Sequence, residues 1–230
     1  MPRQSPLLLA ASLCLLSPTF SRAEPAPVIP ATAKTLFDGK STSGWDILPG
    51  SVWSLKDGIL TGGDGSKKIP YNDFICTTSN HANFILRLRI KLTGDPATGL
   101  INSGVQIRSK RVAGSHEVSG YQCDFGEPNW YGAIYDESRR NRVVSKSDID
   151  TLRPALKPDD WNDYIIKADG PRIQTWINGV QATDYTEPEK EIASDGIIGV
   201  QVHSGGHATV QIKDLVILDL PATPNAPTWD

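Results

Sequence analysis

Three segments far apart in the chain carry the side chains whose types and spacing could do chemistry. They are Asn102-Ser103-Gly104-Val105-Gln106-Ile107-Arg108, Gly120-Tyr121-Gln122-Cys123-Asp124 and Ile198-Gly199-Val200-Gln201-Val202-His203. Each alternates apolar and polar residues, the period of a strand with one buried face. Val105 and Ile107, Tyr121, Cys123 and Phe125, and Ile198, Val200 and Val202 fall in the apolar register. Gln106, Arg108, Gln122, Asp124, Gln201 and His203 fall in the other. An ordinary wet face would show Thr, Lys and Glu. This one offers amides, a guanidinium, a carboxylate and an imidazole, which donate and accept in pairs and suit a polyhydroxylated ligand. A solvated sheet face is the alternative, and the site reading requires the three strands to be neighbours.

The elements that would position them are nearly all strands. Val52 to Leu55, Asp57-Gly58 and Ile59 to Thr61 read as strand, turn and strand. Phe84 to Leu92 alternates with Arg87, Arg89 and Lys91 on the wet side, and His207 to Leu218 alternates as the last strand. Tyr164 to Ala168 and Arg172 to Ile177 flank Asp169-Gly170, with a further turn at Asn178-Gly179. Only Asp148 to Leu156 reads as a helical turn or two. Short strands with Gly-rich turns predict an all-β sandwich or barrel, formed as a single domain by residues 34–220.

Outside that domain, residues 1–23 read as a signal peptide. Arg3 gives a positive start, Leu7 to Leu16 an apolar run too short to span a membrane, and Ser21-Arg22-Ala23 a small-x-small cleavage site. Cleavage near Ala23 would give a periplasmic or secreted protein; an uncleaved anchor is the alternative. Residues 24–33, rich in Pro and Ala, read as an extended linker, and residues 221–230 as a flexible tail. No other stretch has the length of a membrane span. The chain without its first 23 residues has 21 basic against 26 acidic residues, a net charge of −5. That balance argues against nucleic acid as a partner and is compatible with an uncharged sugar. Of Cys76 and Cys123, Cys123 lies in an apolar register, which favours a buried free thiol, although export permits a disulfide.

The motifs also resemble a known family. Leu36-Phe37-Asp38-Gly39-Lys40 with Gly44-Trp45, Asn102 to Arg108, Gly120 to Asp124, Tyr135-Asp136-Glu137-Ser138, Trp161-Asn162-Asp163-Tyr164, Trp176-Ile177-Asn178-Gly179 and Gln201 to Gly205 follow in the order seen in the 3-keto-disaccharide hydrolase family. The match runs from about Leu36 to Leu220. The resemblance implies a concanavalin-A-like jelly roll of two antiparallel sheets and a substrate whose C3 hydroxyl has been oxidised to a ketone by a partner 3-dehydrogenase. A C3 ketone acidifies the C2 proton, so a base can remove it, the enediolate can expel the C1 substituent, and water addition completes a net hydrolysis. That route needs a base, a partner for the enediolate oxygen and an acid for the leaving group. Arg108 is the expected oxyanion partner, with an exposed strand charge as the alternative. His203 is the base or acid, with a hydrogen bond to a loop carbonyl as the alternative, and Asp124 and Glu137 are the carboxylates for the remaining role. Asn102, Gln106, Gln122, Tyr135 and Gln201 would bind hydroxyls, and Trp130, in a loop, could stack on a sugar ring. Glu137 could instead pair with Arg139 or Arg140. A divalent cation on Asp124, Glu137 and His203 is left open.

Two rival functions stand beside this one. A non-catalytic carbohydrate-binding module would share the fold. A retaining β-glucanase would need paired carboxylates on one face of one strand, whereas Asp136 and Glu137 are adjacent and face opposite ways.

Overall fold

A computed structural model of the chain describes residues 23–229. The expected signal peptide therefore lies outside the described residues, except for Ala23. Fifteen strands are β1 (Lys34–Phe37), β2 (Trp45–Ile47), β3 (Trp53–Lys56), β4 (Ile59–Gly62), β5 (Asp73–Thr77), β6 (Phe84–Asp95), β7 (Asn102–Arg111), β8 (Val118–Gly126), β9 (Ile134–Glu137), β10 (Arg142–Ser145), β11 (Asn162–Asp169), β12 (Arg172–Ile177), β13 (Val180–Thr186), β14 (Ile197–Val202) and β15 (His207–Asp219). One helical turn, α1 (Ile149–Leu152), starts where expected, capped by the Asp148 carboxylate on the Thr151 amide.

The strands form two antiparallel sheets. One runs β10-β9-β8-β7-β14-β5-β2 and the other β13-β12-β11-β6-β15-β4-β3, with β1 also on β15. They pack face to face over one core that takes Val105, Ile107, Tyr121, Cys123, Phe125, Ile198, Val200 and Val202 from the first sheet and Leu86, Leu88, Ile90, Tyr164, Ile166, Ile212 and Ile217 from the second. These are the apolar registers of the sequence, and burying them is the main drive for the sandwich. The Tyr164 hydroxyl donates to the Asp124 carbonyl across the interface at 3.1 Å. The hairpin turns fall where their dipeptides require. Asp57 and Gly58 take φ of 51° and 78°, Asn178 and Gly179 50° and 84°, the left-handed pair of a type I′ turn.

The three site segments are adjacent. β7 lies between β8 and β14, with Gln106 opposite Gln122, Gly104 opposite both Asp124 and Gln201, and Gln122 opposite Tyr135 on β9. Directly opposed residues share a face, so these polar side chains lie on the outer surface of one sheet.

Both ends of the described chain hold to the domain. Ala26 and Ile29 cover Ile85, Ile165 and Trp176 on the outer face of the second sheet. Residues 221–229, read from the sequence as a flexible tail, are tied down: Asn83 Nδ2 donates to the Pro221 carbonyl at 2.7 Å, the Ser194 amide to the Pro227 carbonyl at 2.8 Å, and Trp229 Nε1 to the Arg108 carbonyl at 3.1 Å. Cys76 and Cys123 are both buried and free. Burial pushes the Cys76 thiol up to about 12, so neither suits a nucleophile.

Candidate functional site

On the outer face of the seven-stranded sheet lies a cleft of about 230 Å³ lined by Asn72, Leu100, Asn102, Gln122, Asp124, Trp130, Tyr135, Glu137 and His203. Seven of the ten sequence-derived candidates meet there: Asn102, Gln122, Asp124, Trp130, Tyr135, Glu137 and His203. Among the described residues no lysine or arginine lines it.

A relay of amides forms its floor. Ser109 Oγ donates to Gln106 Oε1 at 2.9 Å, Gln106 Nε2 to Gln122 Oε1 at 3.0 Å, and Gln122 Nε2 to Asp124 Oδ1 at 2.8 Å. Each amide is oriented by the one before it, so Asp124 is gripped by one oxygen only. Its other oxygen, Oδ2, is buried with no hydrogen-bond partner among the described residues. Burial raises the Asp124 pKa well above the usual carboxylate range. The Gln122 donor opposes that rise, and the charge of Glu137 adds to it. Asp124 is therefore held towards its neutral form, with a carboxyl oxygen left to bind a ligand. Gly104 makes this packing possible. A Cβ there would stand 2.5 Å from Gln122 Cγ and 2.8 Å from Cδ, so the Gln122 side chain occupies the space that glycine leaves open.

Glu137 faces outward on β9 while its neighbour Asp136 is fully buried on the opposite face against Arg139 and Arg140. The pairing of Glu137 with those arginines that the sequence allowed is thus made by Asp136 instead. Burial, followed by repulsion from Glu117, lifts the Glu137 carboxyl to about 7, while Gln201 lies close enough to favour its ionised form. Opposite Glu137 on β8 is Gly120, with φ of +146°, which leaves the carboxyl free of a cross-strand side chain.

His203 follows the end of β14 and its amide donates to the Asn102 carbonyl at 3.2 Å. Its Nδ1 lies 2.7 Å from the Ser204 carbonyl, an acceptor only, so Nδ1 carries the proton and Nε2 is left with a lone pair in the neutral ring. Ser204 is held in turn: its amide donates to Asn72 Oδ1 at 3.0 Å, and Asn72 Nδ2 donates to Glu117 Oε1 at 3.2 Å. Burial raises the Glu117 pKa, with the Asn72 donor working against the rise.

Three candidates lie elsewhere. Gln106 and Gln201 are fully buried in the same face, beneath or beside the cleft rather than lining it, and neither amide atom of Gln201 has a hydrogen-bond partner among the described residues. Arg108 corrects the expectation of an oxyanion partner. Ile107 opposes Tyr121 and Lys110 opposes Ser119, so Arg108 and Ser109 share the place opposite Gly120. That extra residue is a β-bulge, and Arg108 takes φ of 48° within it. The side chain turns away from the cleft and donates to the Ala82 carbonyl at 2.8 Å, the Gly170 carbonyl at 2.7 Å and Asn83 Oδ1 at 2.9 Å. Burial lowers its pKa to about 10. Arg108 braces the fold. Asn72, Leu100 and Glu117 belong to the site and lie in loops whose sequence carries no periodic signal. Among the described residues no three His, Cys, Asp or Glu side chains are grouped to hold a metal ion, so Asp124, Glu137 and His203 do not make a ready cation site.

The sequence profile of the 3-keto-alpha-glucoside-1,2-lyase-like domain matches residues 32–218. The chain belongs to that family. No curated protein matches it. Among solved structures, a "putative glycosyl hydrolase" from Parabacteroides distasonis ATCC 8503 is similar with a TM-score of 0.59 and 19% identity, over 81% of this chain and 93% of that one. The carbohydrate binding module CBM66 from Bacillus subtilis has a TM-score of 0.56 and 14% identity, over 76% and 94%. The Bacillus licheniformis β-glucanase has 0.51 and 10%, over 83% and 100%. At these identities the likeness shows the fold, a jelly-roll sandwich, which agrees with the sheet order here. No helix among the described residues is long and apolar enough to cross a membrane.

Proposed function

We propose that the cleft cleaves 3-keto-glycosides by proton abstraction at C2 and elimination at C1. The observation that carries this reading is a geometry. His203, its Nδ1 on the Ser204 carbonyl and its Nε2 free, lines one cleft with Glu137 and with Asp124, whose Oδ2 has no partner among the described residues. Burial biases both carboxyl groups towards neutrality. His203 Nε2 takes the C2 proton, and the C–H electron pair forms the C2–C3 double bond as the C3 carbonyl becomes an enolate oxygen. Asp124, neutral and with Oδ2 unpartnered, donates to that oxygen in the place first expected of Arg108; a buried carboxylic acid can serve as such a donor at neutral pH. Re-forming the C3 carbonyl makes the C1–C2 double bond and expels the C1 oxygen, which takes the proton of Glu137. In the hydrolytic course, water then adds its oxygen to C1 and gives a proton to the Glu137 carboxylate, and the proton held by His203 returns to C2. Asn102, Gln122, Asn72 and Tyr135 supply hydroxyl partners and Trp130 a face for the ring.

The substrate would be supplied by a dehydrogenase acting at C3, and cleavage of the leader near Ala23 would place the cleavage step outside the cytoplasm. The test is aglycone release from matched native and 3-keto glucosides by the wild type, His203→Ala and Glu137→Gln. Cleavage of the 3-keto substrate alone, with turnover falling roughly 10²- to 10⁴-fold in His203→Ala, is the expected result. Equal cleavage of the native glucoside would sink the elimination route. Sugar binding without turnover of either substrate would leave a carbohydrate-binding module.

A further inference from the structure

Beyond Trp130 the same sheet face carries a second cavity, of about 450 Å³. Trp130 lines both and so stands where they meet. The other lining residues are Pro128, Ala133, Val143 and Ile149, with Asn129, Ser147 and the one charged side chain, Lys146. The two cavities are contiguous through the sheet: Tyr135 of the cleft and Val143 of the second cavity are directly opposed on β9 and β10 and so point the same way about 5 Å apart. The loop that carries Trp130 is held by its backbone: the Trp130 amide donates to the Gly126 carbonyl at 3.0 Å, the Ala133 amide to the Trp130 carbonyl at 3.1 Å, and Arg153 Nη2 to the Pro128 carbonyl at 2.9 Å.

The chemistry of the cavities differs. The cleft, at about 230 Å³, is below the roughly 300–1,000 Å³ of sites that hold a drug-sized ligand and has room for one sugar ring among its amides and carboxyls. The second offers tryptophan, proline, alanine, valine and isoleucine side chains. Two of its three polar groups are already engaged, the Ser147 hydroxyl donating to the Tyr131 carbonyl at 2.6 Å and Asn129 Oδ1 accepting from Arg153 at 3.3 Å. We propose that the second cavity is the subsite for a flat, apolar aglycone, a phenol or similar aromatic alcohol joined to C1 of the ring in the cleft. This rests on the glycoside-cleaving reading of the cleft. The glycosidic oxygen would then lie at Trp130, between the ring and its leaving group.

Calorimetric binding of phenyl glucoside, methyl glucoside and maltose, none of them oxidised, tests the subsite without asking for turnover. Phenyl glucoside should bind about tenfold or more tightly than methyl glucoside, the return on covering an aromatic ring, and Val143→Asp should remove that preference. If Val143→Asp does not fold, Val143→Thr keeps the strand shape and should shrink the preference. Equal or undetectable binding of the phenyl and methyl compounds, tighter binding of maltose, or a preference that survives both variants would overturn the assignment. Turnover of the 3-keto forms is read separately. A phenyl preference that depends on Val143 with no cleavage of any 3-keto glucoside would defeat the elimination mechanism and leave the aglycone subsite standing.

Discussion

If Glu137 is the proton donor to the leaving group, the pH dependence of cleavage is set by the groups that crowd it. Its carboxyl is raised to about 7, first by burial and then by the charge of Glu117. The working form is the neutral one, so activity is present below that value and is lost as pH rises through it. At pH 7 about half of the groups carry the proton and at pH 8 about a tenth, so kcat/KM for a poor leaving group should fall close to tenfold per unit above neutrality. Glu117→Gln removes the like charge without removing bulk, lowers the Glu137 pKa, and moves the falling limb to lower pH. Glu137→Gln abolishes the limb along with most of the rate. A nitrophenolate leaving group, which departs without a proton, should show little of this limb in any of the proteins. The assay is aglycone release from 3-keto glucosides bearing alkyl and nitrophenyl groups, followed from about pH 5.5 to 9. A limb that stays in place in Glu117→Gln, or that is equally steep for both leaving groups, would refute the assignment of Glu137 as the acid.

Three further outcomes follow from the packing. Gly104→Ala puts a methyl group 2.5 Å from Gln122 Cγ, which should cost about 1–3 kcal/mol of stability in urea unfolding and, by displacing the donor to Asp124, lower turnover more than it weakens sugar binding; an unchanged turnover would show that the amide relay does not orient Asp124. Arg108→Ala leaves two carbonyls and an amide oxygen without their buried donor, so it should destabilise by about 1–3 kcal/mol for each acceptor left unpaired while the folded fraction keeps its turnover of a 3-keto glucoside, the opposite of what loss of an oxyanion partner would do. For Glu187, burial pushes the carboxyl up, but Arg140 and the Tyr121 and Tyr185 hydroxyls outweigh it and hold the pKa down at about 2. A depressed pKa contributes stability that is complete above the ordinary value of about 4.3 and is lost as pH falls towards 2. The acid-side decline of the unfolding midpoint should therefore be shallower in Glu187→Gln, and equal slopes would contradict the pairing.

Much of this was legible in the chain, and the parts that were not share a cause. The apolar registers of β7, β8 and β14 and the Asp57-Gly58 and Asn178-Gly179 turns are local properties, and a period of two or a left-handed dipeptide states them within a few residues. The same period misplaced Arg108, because one extra residue in β7 exchanges the faces beyond Ile107. The bulge is written less in Arg108 than in its partner strand, where Gly120 has φ of +146° and would otherwise bring a Cβ against Ser109. That constraint appears only once β7 and β8 are paired. Asn72 and Glu117 were invisible for a related reason. Asn72 precedes β5, Glu117 precedes β8, and they meet because β5, β14, β7 and β8 are neighbours in that order, 45 residues apart in sequence. Trp229 likewise reaches Arg108 across 121 residues, and no composition rule for a Pro-rich tail anticipates it.

The displacement of Arg108 changes the electrostatic logic of the cleft rather than one role in it. With a guanidinium present, Asp124 and Glu137 would be expected to ionise, and an enolate oxygen would be met by a formal charge. Without it, two carboxyl groups lie beside a third, Glu117, with amides as their neighbours and no fixed cation among the lining residues. Amides do not titrate, and they can donate to or accept from a neutral sugar equally well. Burial and mutual repulsion then bias the carboxyls towards their protonated forms. A face of this kind disfavours anionic substrates such as uronates and sugar phosphates, and it meets developing negative charge with neutral O–H and N–H donors. Asp124→Asn is the substitution that separates the two pictures. It keeps a neutral hydrogen-bond donor at the same place, so it should retain more turnover than Asp124→Ala does. If Asp124 instead acted as a carboxylate base, Asn would be as inactive as Ala, and comparison of the two turnover numbers on a 3-keto glucoside decides the matter.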